Sequence, residues 1–97
     1  MQVYVYAVED ERASSWTAEL AVLAESPASA FRILRDAGLR KAQFQGSTRP
    51  SRAMSPAEFG DVAFGSRGIA RRALEDGGWE PWVPVAAGFT LNWRDTG

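Results

Sequence analysis

A chain of 97 residues, 45% hydrophobic and 24% charged, is long enough to bury a core of its own and too apolar to remain disordered. It contains neither cysteine nor histidine, which excludes disulfides, thiolate metal sites, thiol nucleophiles and the commonest general base. The formal charge of −1 hides a segregation: residues 1–31 carry five acids and one base, residues 32–72 nine bases and three acids, and residues 73–97 four acids and one base.

Residues 3–8 (Val-Tyr-Val-Tyr-Ala-Val) alternate β-branched and aromatic side chains with both faces largely apolar, which predicts a central strand. The polar stretch from Glu9 to Ser15 reads as a loop. From Trp16 to Glu25 the pattern alternates again, with Trp16, Ala18, Leu20, Val22 and Ala24 on one face and Thr17, Glu19 and Glu25 on the other. These two segments are expected to pair as an antiparallel hairpin.

Ser26-Pro27 is a hydroxyl N-cap followed by proline at the first helical position. Ala30, Phe31, Leu34 and Ala37 then fall at helical spacing, and Gly38 with Leu39 supplies a left-handed stop with its hydrophobic contact. A helix over 27–37 follows, expected to cover the hairpin through Phe31 and Leu34. Residues 42–45 suggest a short polar edge strand, and 46–53 a basic Gly/Ser/Pro loop.

Ser55-Pro56-Ala57-Glu58 is a capping-box pattern, with Met54 and Phe59 placed as a hydrophobic staple. A further helix is expected from Ser66, with Ile69, Ala70, Ala73 and Leu74 inward and Gly77-Gly78 ending it. In the tail, Pro81 and Pro84 restrict residues 79–85 to an edge strand or a polyproline-like segment. Phe89, Leu91 and Trp93 alternate as a half-buried strand expected to join the same sheet. The expectation is one α+β domain over 1–97: a small, mostly antiparallel sheet in the order β-β-α-(β)-α-α-β-β, with helices packed on one face.

Three residue sets could carry function. The arginine-rich centre offers Arg40, Lys41, Arg49, Arg52, Arg67 and Arg71 as a nucleic-acid surface, because guanidinium forks suit phosphate. Against this stand an acidic pI near 5.4 and the i, i+4 pairs Arg32–Asp36, Arg71–Glu75 and Arg72–Asp76, which on helices form a solvated, salt-bridged face. The aromatic set is Trp79, Trp82 and Trp93, with Tyr4 and Tyr6; tryptophan anchors interfaces but equally closes small cores. Alternation sends Trp79 and Val83 one way and Trp82 the other, so an inward Val83 would leave Trp82 exposed. The third set, Glu9-Asp10-Glu11, lacks the spacing of a calcium loop, and Gly65-Ser66-Arg67-Gly68 is only a glycine-flanked helix start.

The expected function is therefore non-catalytic. It is an accessory or regulatory protein of inhibitor, immunity or assembly type that binds another protein, its own copy included, through Trp79, Pro81, Trp82 and Pro84. A nucleic-acid-binding module over 32–72 is the alternative. No metal and no cofactor are expected. No apolar run approaches the ~20 residues of a membrane span, and Met1-Gln2-Val3-Tyr4 shows no signal-like character, so the expected location is the cytoplasm.

Overall fold

The computed structural model describes residues 1–8, 18–39, 49–75 and 77–85. Strand β1 (Gln2–Val8) pairs antiparallel with β2 (Ala18–Ala24), bringing Tyr4 opposite Val22 and Tyr6 opposite Leu20. On its other side β1 pairs with β3 (Arg52–Met54), so the strand with two apolar faces is interior to the sheet. Strand β4 (Ile69–Glu75) pairs antiparallel with β2. Two short strands share the outer edge of β4: β5 (Gly78–Trp79) against Leu74 and Glu75, and β6 (Val83–Pro84) against Ala70 and Arg71. The described residues are thus mixed α+β, an antiparallel sheet with two α-helices.

Alternation divides the apolar side chains between the two faces of this sheet. On the first face, Tyr4, Tyr6, Val8, Leu20, Val22 and Ile69 form one core with Ala30, Leu34, Ala37 and Leu39. Helix α1 (Pro27–Asp36) covers that face, with Leu34 fully buried and Phe31 packed at its margin. Its ends are formed as the sequence predicts. The Ser26 hydroxyl accepts from the Ser29 N–H at 3.1 Å. At the other end, the Gly38 N–H donates to the Arg35 carbonyl and the Leu39 N–H to the Leu34 carbonyl, with Gly38 at φ 107°. This paired closure is the Schellman arrangement, which needs a residue tolerant of positive φ at position 38. Burial pushes the Tyr6 phenol up to about 12, with a smaller contribution from neighbouring Tyr4. Its hydroxyl donates to the Pro27 carbonyl at the start of α1.

The second face buries Val3, Val5 and Ala21 beneath Leu23, Met54, Phe59, Phe64 and Trp82. Phe59 is delivered by helix α2 (Pro56–Phe59), a single turn held by the full capping box. The Ser55 hydroxyl accepts from the Glu58 N–H, and the Ser55 N–H donates back to the Glu58 carboxylate. Met54 and Phe59 both pack on this second core. The helices therefore do not share one face: α1 lies on the first, and α2 contributes to the second.

Two local expectations are corrected. The segment expected as a helix from Ser66 is instead a 3₁₀ turn (Ser66–Gly68) followed by β4. Arg67 at φ 60° and Gly68 at φ 71° interrupt any helix there, and pairing with β2 then buries Ile69 on one face while Ala70 lies on the other. The expected basic loop at 46–53 ends in strand: Ser51 donates its N–H to the Val5 carbonyl at 2.7 Å, and Arg52 begins β3. The strands expected at 42–45 and 89–94 lie outside the described residues. No helix among the described residues is long and apolar enough to cross a membrane.

Candidate functional site

The sheet register places Glu19 of β2 directly opposite Arg72 of β4, on the second face. Arg72 donates through Nε, at 2.8 Å, and through Nη2 to the same oxygen, Oε1 of Glu19. Arg52, from the opposite edge of the sheet, donates its Nη2 to that oxygen at 3.1 Å. Two guanidinium groups thus converge on one carboxylate. The Glu19 side chain is 12% exposed and that of Arg52 47% exposed, so this network opens to solvent on the Arg52 side.

Arg72 is also enclosed by aromatic rings. Its guanidinium carbon stands 4.4 Å from the Trp79 ring centre and 4.7 Å from that of Trp82, within cation–π range of both. Each ring reaches this position for a local reason. Gly77, at φ 82°, turns the chain after β4 so that Trp79 pairs opposite Leu74 in β5. Beyond it, Trp82 rests on Phe59 with ring centres 5.1 Å apart, and Phe59 in turn lies 5.7 Å from Phe64. Trp82 is consequently half-buried, whereas Trp79 is 44% exposed and Val83 49% exposed. Val83 is the outward residue of the pair, and Trp82 belongs to the second core.

Beside these rings a groove of about 300 Å³ is lined by Arg71, Arg72, Glu80, Pro81, Val83 and Pro84, among others. Pro81 and Pro84 are both exposed. The floor of the groove is stitched to the turn before β4. The Ser66 N–H donates to the Val85 carbonyl, and the N–H groups of Gly65 and Val85 both donate to the Ile69 carbonyl. A side chain at position 65 would collide with the Val85 backbone, so the close approach requires glycine there.

The two residue sets read separately in the sequence meet here. Arg52 from the basic set joins Trp79 and Trp82 from the aromatic set through Arg72 and Glu19. The other basic candidates are dispersed. Arg67 is exposed at the turn into β4, Arg71 lies opposite Val83 in the groove, Arg49 is exposed ahead of β3, and Arg40 and Lys41 lie outside the described residues. The expected i, i+4 pairs of Arg71 and Arg72 are not formed as helical pairs, because both arginines stand on a strand. Glu19 was visible in the sequence only as a polar position of β2; its partnership with Arg72 depends on a cross-strand register.

No family model, curated protein or solved structure matches this chain.

Proposed function

We propose that the protein acts by binding another protein through the edge formed by residues 79–85. The observation that carries this reading is the exposure of Trp79 and Val83 on one short segment whose residues Glu80, Pro81, Val83 and Pro84 line the groove. An exposed tryptophan next to a shaped depression is the kind of anchor that dominates interface energetics, and arginine and aromatic residues are enriched at interface centres. Recognition would rest mainly on side chains, because β6 is two residues long and Pro84 has no N–H to offer. The role is a binding one rather than a catalytic one, in a chain with no histidine or cysteine. We place that role in the cytoplasm, as an inhibitor, immunity or assembly factor.

The nucleic-acid alternative finds less support, since Arg52 and Arg72 already share a carboxylate and Arg67 stands apart from them. The test compares the wild-type chain with a Trp79→Ala, Val83→Ser double variant. Each is immobilised to retrieve partners from the native host, and each is sedimented alone to detect self-association. The double variant should keep its fold and lose the partner or the self-association. Identical retrieval and identical sedimentation by both chains would contradict the proposal.

A further inference from the structure

We infer that the partner presents a carboxylate, and that an acidic segment of another protein docks where Arg52, Glu19, Arg72 and Trp79 meet; this rests on the protein-binding reading above. Arg52 and Arg72 both donate to Oε1 of Glu19, which leaves the cluster with one more positive than negative charge. Glu19 is the carboxylate that pairs with both arginines among the described residues. The surplus is not spread evenly. Arg72 is in cation–π contact with Trp79 and Trp82 and donates to Glu19 through two nitrogens. It is the less exposed of the two arginines, with 20% of its side chain accessible, so it is the less open to a partner. Arg52 touches Glu19 through one nitrogen and is far more exposed, which leaves most of its planar fork of donors facing solvent. A carboxylate matches that fork with two parallel hydrogen bonds.

The surroundings favour a protein over a polynucleotide. A phosphate backbone calls for several cations along a path. Here the exposed Arg52 guanidinium is followed by an aromatic surface and a mostly apolar rim, Trp79, Pro81, Val83 and Pro84, in which Glu80 is the acidic member. An acidic segment would set its carboxylate on Arg52 and its apolar side chains along the rim. An extended peptide advances roughly 3.3 Å per residue. Arg52 and the Trp79 ring are linked through Glu19 and Arg72, so a carboxylate on Arg52 and an apolar side chain on Trp79 suit nearby positions of one extended segment.

The experiment titrates the full ¹⁵N-labelled chain with an eight-residue peptide alternating Glu and Val, with its Gln–Val counterpart, and with a single-stranded thymidine oligomer. The Glu–Val peptide should move the Arg52 Nε–H and Trp79 indole N–H resonances. It should bind about fivefold or more tightly than the Gln–Val peptide, as a charge-assisted contact implies. Arg52→Gln should abolish that preference while leaving the Arg72 Nε–H signal in place. Equal binding of the two peptides at Trp79 would overturn the acidic assignment and leave the protein-binding reading standing. Absence of any shift over residues 79–85 with every peptide would overturn both. Preferential movement of Arg52 by the thymidine oligomer would overturn the inference in favour of nucleic acid.

Discussion

Arg72→Ala is expected to be among the more damaging single substitutions outside the two apolar cores. The change removes two charge-assisted donors to Glu19 and the cation that contacts both the Trp79 and the Trp82 ring. Because the site is only partly desolvated, each ring contact is worth about 0.5–1 kcal/mol. The hydrogen bonds to a carboxylate whose side chain is 12% exposed add roughly 1–2 kcal/mol net. The expected loss is therefore about 2–4 kcal/mol. For a domain of this size each kcal/mol shifts the melting temperature by roughly 4–8 °C, so Tm should fall by at least ~8 °C. Thermal denaturation followed by circular dichroism reads the loss directly. Tryptophan fluorescence should also shift to the red in the folded variant as Trp82 becomes wetter. Combining Arg72→Ala with Trp79→Ala in a double-mutant cycle should return a coupling of about 0.5–1 kcal/mol. A Tm within a degree or two of wild type, or a coupling of zero, would refute the view that the guanidinium binds these elements together.

Trp82→Ala should lower stability by roughly 3 kcal/mol through the space it opens against Phe59, whereas exposed Trp79→Ala should cost about 1 kcal/mol or less; urea unfolding of the two variants checks the order. Gly65→Ala should destabilise by at least ~2 kcal/mol, since the added methyl meets backbone rather than a movable side chain, and a near-neutral result in the same assay would count against the Gly65–Val85 contact. Arg67→Gly should stabilise by about 0.5 kcal/mol, because relief of a left-handed non-glycine residue outweighs the added chain entropy. The phenol of Tyr6 is raised to about 12 in the fold, so the folded state holds its proton more tightly than the unfolded chain does. Stability from this source is complete below the unfolded value near 10 and declines as pH rises towards 12, by roughly 2–3 kcal/mol in all. Tyr6→Phe should flatten that alkaline limb of the unfolding profile.

The features legible in the sequence are those specified by neighbours in the chain. Ser26-Pro27, the Gly38-Leu39 closure and the Ser55–Glu58 box each depend on side chains within a few residues, and all three form as read. The β1–β2 hairpin was legible for the same reason, because alternation on both segments defined a common face. Strand β4 was not: Ile69, Ala70, Ala73 and Leu74 satisfy a helical spacing as well as an extended one, and pairing with β2 decides between them. Strand β3 was hidden because Arg52-Ala53 carries no apolar signal and becomes strand only against β1. At the candidate site, the tryptophans were visible by their clustering. The Glu19–Arg72 contact spans 53 residues and exists only once the register is set.

The way the sheet terminates also bears on how the protein withstands crowding. A long, flat, unpaired strand is an invitation to runaway polymerisation, because its free amides can template one chain after another. Among the described residues, the outer side of β4 is instead occupied by two strands of two residues each, with Pro81 between them and Pro84 within the second. The opposite border, β3, runs for three residues and opens on a charged one, Arg52. Among the described residues neither border offers the roughly six or seven consecutive extended residues typical of cross-β stacking. The described residues thus expose tryptophan and valine at their rim for a partner without presenting a long backbone ladder on which further copies would grow into fibres.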